Sequence, residues 1–225
     1  MTFCGSRLLV EDQARGGVLE DCLVAGCELE GMEFRCCLWR GVELREVSAP
    51  FLVFENADMR EVSIFQSSLS RMRLGSCALE NLVLEGLVLI RSLWRNIRAR
   101  DLRLRSSCLQ RAEFSRVRAS SSSFVDFEAL ESRMEGCLFS GCLFSLTFGS
   151  GMNGFSGALI RNCIFFGCRF EGFPLRGAVS ENCLFIQCAG EITDEPVQAV
   201  SCGAGRKKPL VRRGEAGELA SRLAV

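Results

Sequence analysis

From Leu19 to Phe144 every fifth residue is apolar. The series runs Leu19, Val24, Leu29, Phe34, Trp39, Leu44 and onward through Leu84, Trp94, Phe114 and Phe139 to Phe144, and all 26 of its positions comply. In a chain that is 48% hydrophobic, a fixed frame does this by chance about once in 10⁸ trials. A period of five is neither the 3.6 of a helix nor the 2 of a strand, so neither element alone can turn these residues to a core. The pattern needs a backbone that rounds a corner every five residues. Four such sides close a coil of about 20 residues, with inward side chains stacked between coils at the strand spacing of roughly 4.8 Å.

A second position, two residues before each apolar centre, reads Gly17, Cys22, Cys27, Met32, Cys37 and onward to Cys142, and none of its members is charged. Units such as Ala57-Asp58-Met59-Arg60-Glu61, Ala112-Glu113-Phe114-Ser115-Arg116, Cys27-Glu28-Leu29-Glu30-Gly31 and Cys137-Leu138-Phe139-Ser140-Gly141 resemble the pentapeptide-repeat family. That resemblance covers about three quarters of the chain. It implies an all-β fold, a right-handed four-sided parallel β-helix with a packed interior and no cavity. The chain departs from the family pattern where Met32, Met72, Leu82, Leu87, Ile97 and Phe127 replace small residues. Such bulk is expected to crowd or bulge the coil, especially over 82–102.

Residues 1–16 fit the frame poorly and read as an N-terminal cap with one strand, which a solenoid needs to cover its first coil. The β-helix is expected over 17–188. Its phase slips by one residue inside the glycine-rich stretch 145–154, which suits a bulge or small loop on one corner. About eight coils and a rod of roughly 40 Å follow. The tail, 189–225, leaves the frame. Its last part, 214–225, reads as a short helix with Leu219 and Leu223 on one face, expected to cap the last coil or to join two copies as a homodimer.

Composition removes several classes of function. Lysine plus arginine number 27 and aspartate plus glutamate 27, so no uniform field steers the molecule to a partner. Histidine and tyrosine are absent, which removes the usual general base and the commonest metal ligand. No catalytic residue, cofactor or metal site is expected. The N-terminus lacks the basic and apolar regions of a secretory signal, and no run of 18 apolar residues occurs. A cytoplasmic location, no membrane partner and reduced thiols are the expectations. Cys163, Cys168, Cys183 and Cys188 have a spacing that invites zinc, yet 10 of the 14 cysteines fall on the small-residue frame, where cysteine packs as a small hydrophobe. Ser120–Ser123 offers no nucleophile without a base to activate it.

Two surface features remain. Residues 63–118 hold 11 arginines against 4 acids, whereas residues 1–62 hold 6 basic against 12 acidic groups. Arg71, Arg91 and Arg111, each 20 apart, should stack as a stripe along one edge, suited to phosphates or an acidic protein surface, unless they are simply a solvated face. Phe51, Val53 and Phe65 occupy outward positions near Pro50 and are expected to form an exposed apolar patch of the kind that meets partners. The leading expectation is a non-enzymatic, rigid protein-interaction scaffold with a protein partner. The resemblance supplies an alternative, a DNA mimic that binds gyrase or another type II topoisomerase and modulates or protects it, which the arginine-rich middle opposes. Weak nucleic-acid binding through that middle and the tail is the third reading.

Overall fold

The computed structural model describes residues 2–4 and 13–191. The chain winds as a parallel β-solenoid in which each five-residue unit forms one side of a coil. In chain order, the first face is built from strands such as Gln13–Arg15 and Glu33–Arg35, and the second from Val18–Glu20 and Leu38–Arg40. The third contains Leu23–Ala25 and Glu43–Arg45. These faces make parallel sheets of 9, 9 and 10 strands among the described residues. The fourth face is thinner, joined by single bridges from Glu28 through Ser48, Ser68 and Val88 to Cys108. Four sides and about nine coils result, with a rod length of roughly 40 Å.

The period of five becomes geometry through the corners. One residue in each unit, from Gly16 through Asp21, Gly26 and Gly31 to Gly141, takes a left-handed φ between 46° and 68°. Glycine, asparagine and aspartate suit that slot best, and asparagine fills it at 56, 81, 96, 162 and 182. Each corner re-aims the chain, so the two remaining inward residues of the unit meet the core. Strand pairing then repeats every coil: Arg73 lies between Val53 and Leu93, an offset of 20 on each side.

The core is a column of buried side chains from Cys22 to Cys188. Phe124, Phe144 and Phe170 stack along the third face, with ring centroids 4.9 and 5.3 Å apart. Phe139, Phe165 and Phe185 stack along the second, at 5.2 and 4.8 Å. The bulky residues at small positions do not bulge the coil. Met32, Met72, Leu82, Leu87, Ile97 and Phe127 are all at most 5% exposed, and the register runs unbroken from Val83–Arg103 onward. In two of these coils small inward residues offset the bulk: Ile97 shares its coil with Ser92 and Ala99, and Phe127 shares its own with Ala112, Ala119 and Ala129. Close packing needs the right total volume, and either inward position can supply it.

The expected frame changes at its start and at its internal slip. Thr2–Cys4 and Gln13–Arg15 already belong to the sheets, Thr2 pairing with Leu23 at an offset of 21, so the stack has about nine coils rather than eight. The slip near residue 150 is an insertion of six residues, not one. Val125 pairs with Ser145 at an offset of 20, but Glu128 bridges Gly154 and Arg133 pairs with Leu159 at 26. Six and one differ by a whole unit, which a five-residue frame cannot distinguish. The extra residues leave the corner between the third and fourth faces as a loop, with Phe148 fully exposed. The expected helix over 214–225, with Leu219 and Leu223, lies outside the described residues.

Candidate interaction surface

At the corner between the fourth and first faces, Phe51, Arg71, Arg91, Arg111 and Glu131 occupy the left-handed slot one above another, with φ between 55° and 61°. Each is the third residue of a tight turn. The N–H of Met72 donates to Leu69 O at 3.1 Å, that of Ser92 to Leu89 O at 3.1 Å and that of Ala112 to Leu109 O at 3.0 Å. A positive φ at the third turn residue is the type II arrangement, for which glycine or asparagine is the low-cost choice. Arginine is therefore held in this column against local preference. The guanidinium of Arg71 lies 5.1 Å from the Phe51 ring centroid. Arg111 Nε donates to Glu131 Oε2 at 2.8 Å. Arg91, between them, has no ion pair or side-chain hydrogen bond among the described residues.

Arg91 also opens the most basic coil. Residues 91–110 carry six arginines, Arg91, Arg95, Arg98, Arg100, Arg103 and Arg105, against the single acid Asp101. Arg95 lies on the first face, Arg98 and Arg100 on the second, and Arg103 and Arg105 on the third. The basic charge thus runs around the rod as a belt, crossing the lengthwise column at Arg91. Arg100 Nε reaches Asp101 at 3.4 Å; the other five have no ion pair among the described residues. Elsewhere ion pairs are commoner, although Arg40, Arg73, Arg116, Arg118 and Arg133 also have none among the described residues. Arg35 pairs with Glu33 at 2.8 Å, Arg60 with Asp58 at 2.7 Å, Arg161 with Glu181 at 2.7 Å and Arg169 with Glu171 at 2.6 Å. Six of the 11 arginines in the basic middle, 63–118, fall in this one coil; the spacing of 20 marks only the column.

The apolar patch expected from Phe51, Val53 and Phe65 does not form. Phe51 stands at the corner, 41% exposed. Val53 is half-buried on the first face, and Phe65 is half-buried on the third, where the Arg45 guanidinium lies 5.4 Å from its centroid. Outward position alone does not say which of four faces a residue occupies. A contiguous outward array appears instead near the end of the second face. There Ile164 pairs with Leu184 and Phe166 with Ile186, all half-buried.

The ten frame cysteines are buried, while Cys36 is exposed and Cys108 half-buried. Burial pushes the Cys77 thiol up to about 11. Cys163 stands between Cys137 and Cys183, and Cys168 between Cys142 and Cys188, in two adjoining columns. Thiol contact with Cys137 and with Cys142, reinforced by burial, raises Cys163 and Cys168 to about 12. Among the described residues no cluster of histidine, cysteine, aspartate or glutamate can hold a metal ion. In the serine run, Ser122 is structural: its Oγ accepts from the Leu102 N–H at 3.1 Å and donates to Ser120 O at 2.8 Å. No described helix is long and apolar enough to cross a membrane.

No family model matches the chain, and no curated protein does. Among solved structures, trypsin-treated QnrB1, a plasmid-mediated fluoroquinolone resistance protein, is 14% identical over 100% of this chain and 97% of its own, with a TM-score of 0.39. HetL, a pentapeptide repeat protein involved in heterocyst differentiation regulation in the cyanobacterium Nostoc, is 14% identical over 86% of this chain and 94% of its own, with a TM-score of 0.30. The strand register of the chain itself shows the four-sided parallel solenoid of five-residue units.

Proposed function

We propose that the protein is a non-enzymatic interaction scaffold, a rigid rod that presents side chains to a protein partner. The observation that carries this reading is the belt over residues 91–110, where six arginines meet one acid on a single coil and five of the six have no ion pair among the described residues. Arg98 stands beside Arg118 in register, and like charges at that spacing repel by about 1 kcal/mol or less in water. Glu80 and Glu85 stand beside Arg100 and Arg105, so an acidic partner would chiefly offset Arg95, Arg98 and Arg103. The scaffold suits such a role because backbone donors and acceptors are already closed by coil-to-coil bonds, as in Arg98 N to Cys77 O at 3.0 Å and Arg118 N to Ile97 O at 2.8 Å. Recognition must then come from side chains on a preorganised surface, which lowers the cost of ordering on binding.

The DNA-mimic reading requires an evenly acidic rod to replace duplex phosphates in a cationic groove. The arginine belt would face that groove with repulsion midway along the rod. Affinity capture from native lysate, with the wild-type protein and an Arg98→Glu/Arg103→Glu variant, tests the scaffold. A discrete protein retained by the wild type at low salt, and lost with the variant, is the expected outcome. Potent inhibition of gyrase supercoiling by the purified protein would overturn it in favour of the mimic.

A further inference from the structure

Within the belt, one stretch has a shape as well as a charge. On the second face Arg98 and Arg100 point outward on either side of Ala99. On the third, Arg103 and Arg105 flank Leu104, and the rod's edge at Asp101 and Leu102 lies between the two pairs. Outward residues two apart on a strand are about 6.6 Å apart. On the next coil Ser120 stands over Arg100 and Ser123 over Arg103, so short side chains replace long ones. Ser140 follows Ser120 one coil further. A shallow trough opens on the second face, lined by Arg98, Arg100, Arg118, Ser120 and Ser140, with Glu80 beside Arg100 and the Asp58–Arg60 pair at its other end. Its arginine wall continues round the edge to Arg103 and Arg105.

We infer that this trough and edge hold an extended acidic peptide segment of the partner, its carboxylates at alternate positions facing Arg98, Arg100, Arg103 and Arg105 while its backbone lies along Ser120 to Ser123. The inference rests on the scaffold reading and names the partner's chemistry. Alternate side chains of an extended peptide project at the same spacing of about 6.6 Å as the arginine pairs, and guanidinium forks match carboxylates. The path turns a corner of the rod between Arg100 and Arg103. A duplex, with a persistence length of about 150 base pairs, does not follow such a corner. Single-stranded nucleic acid gains much of its affinity from bases stacked on aromatic rings, and the outward positions of residues 91–110 hold none: Trp94, the one aromatic of the coil, is 2% exposed and points inward.

The test is fluorescence anisotropy at low salt with a labelled peptide of alternating Glu and Ser, about eight residues long to match the span from Arg98 to Arg105. The same sequence with Lys for Glu, a single-stranded oligonucleotide and a short duplex complete the probe set. The Glu peptide should bind the full-length protein, its affinity falling as salt rises, and the Lys peptide should not. Arg98→Ser/Arg103→Ser should weaken it by about tenfold or more, whereas Arg40→Ser/Arg73→Ser, which removes the same charge elsewhere, should change it less than about threefold. If the first variant is poorly soluble, Arg100→Gln/Arg105→Gln gives the same readout. Equal loss in the control variant, no binding of the Glu peptide, or tighter binding of either nucleic acid would overturn the inference. Capture of a protein partner from lysate without peptide binding would leave the scaffold standing and remove this trough from it.

Discussion

Thr147 is tied twice to Asp126 in the preceding coil: its backbone N–H donates to Oδ1 at 2.6 Å and its hydroxyl to Oδ2 at 3.0 Å. These bonds pin the inserted loop where it leaves the third face, and at its far end the Gly154 N–H donates to Phe127 O at 3.0 Å. Neither anchor needs the residues between. Deleting Phe148–Asn153 would join Thr147 to Gly154 and restore the spacing seen one coil earlier between Phe127 and Glu128. The melting temperature should change by no more than about 4 °C, since loop closure contributes only about 1 kcal/mol here. A drop of about 10 °C, or loss of the β signal in circular dichroism, would mean that the loop holds the coils in register.

The phenylalanine ladders make a different demand. Phe144 is fully buried and lies nearly parallel between Phe124 and Phe170, at 6° and 9°. Phe144→Ala leaves a cavity that rigid neighbouring coils cannot close, and should cost about 3 to 5 kcal/mol in urea unfolding. A cost below about 1 kcal/mol would show that the coil collapses onto the gap, contrary to the rigidity that the scaffold reading needs.

How much of this was legible in the sequence differs by level. The inward frame was readable because burial imposes itself at a fixed spacing, and a chance run of Leu19 to Phe144 is negligible. The length of the loop was hidden because six extra residues shift a five-residue frame by the same phase as one. The bulk of Ile97 and Phe127 looked like strain because a single position was judged, when the volume is shared with Ala99 and Ala129. On the surface, the column of Arg71, Arg91 and Arg111 followed from a 20-residue coil. That Arg71 rests on Phe51 and Arg111 on Glu131, leaving Arg91 apart, depends on rotamers that the sequence does not encode.

The buried thiols predict an alkaline limit to stability. Cys163 and Cys168 are raised to about 12 in the folded chain from an ordinary value of 9.0; Cys183 and Cys188 at the ends of the columns are also raised, while the same thiol contacts lower Cys137 and Cys142. A raised thiol favours the protonated, folded state, so its contribution is fully present below pH 9 and is lost as the pH rises toward 12. Under reducing conditions the urea midpoint should stay level up to about pH 9 and then fall. Cys163→Ala/Cys168→Ala should flatten that fall, although it lowers stability at neutral pH through lost packing. An unchanged alkaline slope in this variant would show that these thiols do not carry the effect.

The arginine column offers a test in the order of three stabilities. A non-glycine residue in the left-handed region costs about 1 to 2 kcal/mol, and asparagine pays less of it. Arg91, Arg71 and Arg111 all occupy that region, but replacing each with asparagine removes different things. Arg111→Asn gives up the exposed pair with Glu131, worth up to about 1 kcal/mol. Arg71→Asn gives up the contact with the Phe51 ring, worth about 0.5 to 1 kcal/mol. Arg91→Asn gives up no partner among the described residues and lowers the repulsion within the belt. It should therefore stabilise the protein the most, by about 0.5 to 1 kcal/mol, or about 2 to 4 °C in melting temperature, with the other two near neutral. The order is checked by urea midpoints of the three single variants measured side by side. Destabilisation by Arg91→Asn beyond about 1 kcal/mol would mean that this arginine packs against the rod, and that its placement in a strained turn reflects structure and not a surface kept for a partner.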